Sequence, residues 1–365
     1  MGGRILALDE GRPLHQGGAR ERQRAFAVLS RRRLYLPVAI FACDLALYGL
    51  SVFGAVTSTH LVAKLTFAGV AGLTVSLLAI VGHDATHRSF TSVRWLNRVI
   101  GTIAFLPALH PYGRWEHHHN RVHHIFTAQL GVDNAYPPMT IQDYLLAPAP
   151  KRALYRFKRS LPGQAVYYLI DVWFPKMFLP NRADRREFNA FDWIDLAVVQ
   201  IWFVIFVAGL TVLLHLETPR SLAAAFADAS LFGFLIPFLV WNLFISFVTI
   251  VQHTGPGVRW IAPTGRPSTS AEKLRGTVHV MLPNAFDWLF HRVMQHPAHH
   301  IHSGVPLYSL KKAEQELAIR LSNSPIVARW TPLYHWRLTR DCKLYDPERG
   351  IWCDFALHPI RSRAG

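Results

Sequence analysis

Four apolar runs, each close to the length of a bilayer core, constrain this chain more than any other feature. They fall at about 35–56, 65–81, 195–214 and 231–251, and a hydrocarbon layer about 30 Å thick takes roughly 20 residues of helix to cross. The chain is 51% hydrophobic and only 17% charged, and its apolar residues sit in blocks rather than spread with an amphipathic period. Such blocks point to lipid. The second run is short, and its helix is expected to continue past the membrane surface and carry His83 and His87 with it.

The basic residues set the orientation. Arg20, Arg22, Arg24 and Arg31 to Arg33 precede the first run, and Lys151, Arg152, Arg156, Lys158 and Arg159 lie between the second and third. The candidate outer loops carry only Lys64 and Arg220, so the positive-inside rule places both termini and the long loop in the cytosol. The formal charge of +16 then reads as topology signal and as attraction to anionic headgroups, about 1 kcal/mol per juxtamembrane Lys or Arg. No nucleic-acid recognition motif accompanies it, and no nucleic-acid partner is expected. Cys43 falls in the first run and Cys342 and Cys353 near the C-terminus, which suggests neither a disulfide framework nor a thiolate metal site. Val99 to Leu109 is expected to be interfacial or re-entrant, Ala165 to Leu179 to lie on the bilayer surface, and Gly255 to Pro267 to form a loop. The organisation expected is a basic cytosolic arm over 1–33, flexible and without a secretory cleavage pattern, a membrane domain over 34–317 and a cytosolic tail over 318–365.

Chemistry enters with the histidines. Of 20 in the chain, eight stand in three groups: His83 with His87, His119 with His123 and His124, and His296 with His299 and His300. Residues three or four apart share a helix face, so each group is expected to aim its imidazoles at a common point. Imidazole suits zinc, copper, iron and nickel alike. Eight ligands exceed what one tetrahedral zinc takes, so two metals are the economical reading. His253, at the end of the fourth run, is a ninth candidate by position. No H-E-x-x-H stretch and no deaminase signature occurs, and the lone E-x-x-H at Glu116 and His119 cannot build a carboxylate-bridged site.

The runs Gly82-His83-Asp84-Ala85-Thr86-His87, Trp115 to His124 and His296-Pro297-Ala298-His299-His300 resemble, in order and separation, the three histidine boxes of membrane fatty acid desaturases. His253 within Gln-His-Thr, and Phe290-His291 before the third box, are also similar to that family, so the likeness runs from about residue 40 to 317. The resemblance implies an all-α integral membrane protein: a four-helix transmembrane bundle with a cytosolic helical cap holding two iron ions. It implies dioxygen as co-substrate and an acyl lipid or acyl thioester as the chain desaturated. The implied ligands are His83, His87, His119, His123, His124, His253, His296, His299 and His300, with Asp84, His118, Asn120 and His291 as outer-shell candidates. Trp115, Phe126, Trp288 and Phe290 are candidates to line an apolar tunnel, or else core and interfacial residues.

Relatives with nearly the same boxes hydroxylate or ketolate, and some act on small polar metabolites, so those outcomes stay open here. A membrane zinc hydrolase or a metal transporter are the readings from other classes. No haem-binding H-P-G-G stretch and no iron–sulfur cysteine set is present. Electrons are therefore expected from a separate ferredoxin, or from a b-type cytochrome with its reductase, drawn to a basic face.

Overall fold

The computed structural model describes residues 26–320 and 325–360. The basic arm expected over 1–33 therefore lies outside the described residues as far as residue 25. The chain is mostly helical and divides into two compact units. One, the helical unit, comprises Arg32–His117 and Tyr168–Ile245. The other, the histidine unit, takes in residues 26–31, His118–Tyr167 and the described residues from Ser246 onward.

Among the described residues, four helices are long and apolar enough to cross a membrane: α1 (Tyr35–Thr57), α2 (Leu61–Thr86), α5 (Ala190–Glu217) and α6 (Leu222–His253). With 23 to 32 residues each, they exceed the roughly 20 that a bilayer core requires. Their outward side chains, among them Leu50, Phe53, Val62, Val204 and Ile205, are largely exposed, as lipid-facing groups of a span are. Inside the helical unit the packing is close. A Cβ on Gly72 of α2 would stand 2.6 Å from the Pro237 carbonyl and 2.5 Å from Val240 on α6, so glycine is what lets those two backbones meet. Lys64 and Arg220, the cations of the expected outer loops, converge on Asp228 at 2.8 and 3.1 Å.

Between α2 and α5 run α3 (Arg94–Phe105), a 3-10 turn and the short α4 (Tyr112–Glu116). Their placement follows from buried polar contacts. Asn189 and Asp192 form a capping box that starts α5. One turn on, Asp195 takes both hydrogen bonds of the Arg98 guanidinium, at 2.6 and 2.7 Å, and the Gly113 N–H at 2.8 Å. Tyr112 donates its hydroxyl to the Ala85 carbonyl near the end of α2. The start of α4, and so the entry to the second histidine box, is held by a carboxylate and a backbone carbonyl of the spans.

The histidine unit builds on the last two turns of α6. It adds a four-stranded sheet in the order β1 (Met139–Thr140), β4 (Leu344–Asp346), β5 (Ile351–Cys353), β6 (Pro359–Ile360), and a parallel pair, β2 (Val278–Met281) with β3 (Ile326–Arg329). Short helices stand between them: α7 (Ser270–Arg275), α8 (Asn284–Leu289), α9 (His296–Ile301), α10 (Leu310–Arg320) and α11 (Pro332–Asp341). The strands are a small addition to a helical protein. The boundary expected after residue 317 falls inside α10, and β3 and β4 beyond it pair with β2 and β1 before it. Arg159 ties these parts together from a buried position, stacked on Tyr136 at 3.9 Å and donating to the Tyr136 and Pro137 carbonyls.

Candidate metal centre

Seven of the nine candidate ligands come together within the histidine unit, in two adjoining sets. His123, His253, His296 and His300 form one, all buried and with ligand atoms within 4.8 Å of one another. His119, His124 and His299 form the other, with Nε2 to Nε2 distances of 3.0 Å from His124 to each of its partners. The rings of His124 and His300 stack at 4.3 Å where the sets touch.

Each box was expected to serve one point, and the backbone shows why it does not. Residues His117–His123 form a π turn in which the His124 N–H bonds the His119 carbonyl five residues back, at 2.9 Å. That wider turn aligns His119 with His124 and sends His123 into the other set. The third box is an ordinary α turn: His296 and His300, four apart, share a face, while His299 is rotated off it. Two box segments thus feed both sets.

The outward nitrogens define the tautomers. His123 Nδ1 meets the Asp133 carboxylate at 2.8 Å and His253 Nδ1 the Gly276 carbonyl at 3.2 Å, so each of these Nδ1 atoms carries the proton. Thr127 gives its hydroxyl proton to the His123 carbonyl at 2.9 Å and so receives the His300 Nδ1–H at 3.1 Å. Burial works against the Asp133 charge, yet the interaction with His123, aided by His253 and the Ala128 N–H, holds its pKa below the ordinary value. Burial and the neighbouring imidazoles push His300 well down, which keeps it neutral.

These facts test whether the residues fit a metal. A ring nitrogen without its proton presents one lone pair in the ring plane. His253 and His300 both aim such lone pairs at His296 Nε2, at 2.8 and 2.9 Å. A proton on His296 Nε2 answers only one of them, and the other stays buried and unanswered, which proteins rarely tolerate. A cation answers all of them. Buried imidazoles whose outward nitrogens are fixed by hydrogen bonds, with a carboxylate behind one ring, are the donor arrangement of a metal site, and the residues fit.

The remaining candidates lie as follows. His83 and His87 sit together in the helical unit at the end of α2, ring centroids 5.0 Å apart. Asp84 is buried beside them, and its backbone carbonyl accepts the Ser89 N–H and hydroxyl. Arg88, one residue after His87, lies near Glu116 at 3.7 Å. His118 is buried, Asn120 half-buried, and His291 stands at the left-handed φ of 49°. Of the histidines outside the candidate set, His117 pairs with Glu187, His302 stacks on Phe26, and His110 bonds Tyr168 at 2.8 Å. Phe290 is buried, whereas Trp288 is 69% exposed. Sequence reasoning missed Asp133, Thr127 and Gly276 as partners of the rings. It also missed Glu314, which is buried and accepts the Ala298 N–H in the middle of the third box.

Comparison with known proteins agrees with this picture. The fatty acid desaturase family profile matches residues 57–330. Among similar proteins, the sn-1 oleoyl-lipid 12-desaturase of Synechocystis sp. is 30% identical over 287 residues, covering 74% of this chain and 73% of that protein. The protein of the same description from Picosynechococcus sp. is 27% identical over 303 residues, 80% of this chain and 79% of the relative. The chloroplastic omega-6 fatty acid desaturase of Arabidopsis thaliana is 26% identical over 76% of this chain, which spans 58% of that longer protein.

Proposed function

The chain belongs to the fatty acid desaturase family, and on that premise we propose that it introduces a carbon–carbon double bond into an acyl chain at the expense of dioxygen. The balance is one –CH2–CH2– unit, one dioxygen, two electrons and two protons giving –CH=CH– and two waters. The relatives named as oleoyl-lipid desaturases support an acyl lipid as substrate.

Two bound iron ions would supply the redox chemistry, which an unactivated methylene with no acidic proton and no leaving group demands. The chain supplies the rest. His123, His253, His296 and His300 would hold one ion. His119, His124 and His299, joined by His83 and His87 as the likeness of the boxes implies, would hold the other. Asp133, Thr127 and the Gly276 carbonyl keep protons on the outward nitrogens so that the inward ones stay free to bind. Burial of the four-histidine set keeps bulk water away. Asp84, His118, Asn120 and His291 are proposed as outer-shell partners. The termini and the ligands are placed on the cytoplasmic side, by the distribution of Lys and Arg. Electrons are proposed to come from a separate ferredoxin, or from a b-type cytochrome with its reductase. The observation that carries this reading is the convergence of seven imidazoles in two adjoining sets, the four-histidine set wholly buried, without a carboxylate among the donors.

Expression in a host lacking the activity, with and without oxygen, tests it through mass analysis of the lipids. A loss of two mass units that depends on oxygen is the result expected. A gain of one oxygen atom would turn the reading to hydroxylation, and turnover without oxygen would end both. Metal analysis of the purified protein should return about two irons per chain, where a zinc hydrolase would return zinc.

A further inference from the structure

Beyond the four spans, the histidine unit carries a second set of outward apolar side chains. Strands β2 and β3 run parallel with Met281 opposite Arg329, so both end at the same edge of their sheet. A short helix follows each strand at that edge. In α8, Asp287 turns inward, pairs with Arg292 and accepts a hydrogen bond from Gln295 at 3.0 Å. Phe286 and Trp288 are left 55% and 69% exposed. In α11, Leu338 and Thr339 are buried, while Leu333 and Trp336, one turn apart, face outward. The Arg340 guanidinium lies 4.6 Å over the Trp336 ring, and Arg329 and Arg337 are exposed beside this face. Aromatic rings flanked by arginine match the headgroup layer of a bilayer, where an apolar body and a polar partner are both accommodated.

The structure also gives the depth. Trp330, directly after β3, meets Phe247 of α6 edge to face at 5.7 Å, and Gln252 of α6 donates to the Val293 carbonyl at 2.7 Å. Phe247 precedes His253, the last residue of that membrane-length helix, by six positions, or about 9 Å along the axis. The edge that launches α8 and α11 is therefore packed on the last turns of a span, where hydrocarbon gives way to headgroups. Its arginines suit anionic headgroups, and its acidic residues, Asp287 and Asp341, are engaged by Arg292 and Arg340.

We propose that α8 and α11 dip into the interface of the same bilayer, forming a membrane contact additional to the four spans that fixes the depth of the third box, which begins seven residues after α8. The inference rests on the membrane placement of α6 and is independent of the reaction. The full chain, with Cys43→Ser, is placed in nanodiscs of phosphatidylcholine and phosphatidylglycerol and spin-labelled at Trp288→Cys, Trp336→Cys or, as a control in an exposed turn, Arg349→Cys. Severalfold greater relaxation by oxygen than by aqueous chromium oxalate at 288 and 336, relative to 349, is expected. Equal ratios at all three would overturn the proposal. If the substituted proteins do not fold, the unsubstituted chain is labelled with a lipid-soluble and a water-soluble diazirine. Peptides around 284–289 and 333–337 should take the lipid-soluble reagent as α6 does. Labelling by the aqueous reagent alone, or protection from both by a second copy or another protein, would refute it.

Discussion

Replacing Asp133 by asparagine tests the carboxylate that stands behind His123. Its Oδ1 receives the His123 Nδ1–H at 2.8 Å and the Ala135 N–H at 3.0 Å, and its Oδ2 the Ala128 N–H at 2.7 Å. Asparagine keeps one accepting oxygen and presents an amide to the third donor. If the oxygen stays with His123 and Ala135, the amide faces the Ala128 N–H and leaves it buried without an acceptor, at about 1–3 kcal/mol. The bond to His123 also loses its charge, a difference on the order of 1 kcal/mol. Asp133→Asn should thus lower stability by about 2–4 kcal/mol, and the less basic His123 should weaken metal binding by about 10–100-fold, as outer-shell losses do. Cobalt(II) titration of metal-depleted protein, followed by its visible spectrum, reads the affinity, and thermal unfolding reads the stability. Affinity within twofold of the parent, with an unchanged spectrum, would mean that Asp133 does not hold His123 for a metal.

Thr127→Val removes the acceptor of the His300 Nδ1–H and should weaken metal binding about tenfold, while Thr127→Ser retains it; the same titration reads both. Gly113→Ala puts a Cβ 2.7 Å from an Asp192 oxygen and 3.0 Å from one of Asp195, so the melting temperature should fall by the equivalent of about 1–3 kcal/mol. Burial, opposed by the Ala298 N–H, raises the Glu314 carboxyl to about 7. Its contribution to stability is full below the unfolded value of about 4.3 and lost as pH rises through 7. Unfolding measured from pH 4 to 8 should flatten in Glu314→Gln, and an unchanged slope would assign it to other groups. His296→Ala and His299→Ala should each reduce bound iron from about two toward one per chain; retention of both ions in either would break the ligand assignment.

The spans were legible because a bilayer imposes its own length on the sequence, and runs of about 20 apolar residues have few other uses. The continuation of α2 to Thr86 was legible too, since nothing in 82–86 breaks a helix. The candidate ligands stood out by residue type. Their partition did not, because H-x3-HH reads as an α turn and only the backbone reveals the π bond between His124 and His119. Asp133 was hidden for a related reason. It reaches His123 through a reversal of the chain over ten residues, with Ala128 at positive φ, and no periodic pattern marks such a loop. The strands, two to four residues each, are too short to carry an alternation of their own and exist through pairing with distant segments.

The π turn at His117–His123 has a consequence for how such a centre can change. One box gives His119 and His124 to the first set and His123 to the second, and the other gives His299 to the first and His296 and His300 to the second. Losing one residue from the turn would restore α geometry and rotate neighbours away from both sets at once. The centre is therefore not two separable mononuclear pockets but one indivisible lattice of rings, and single-residue length variation should be least tolerated in these two short stretches.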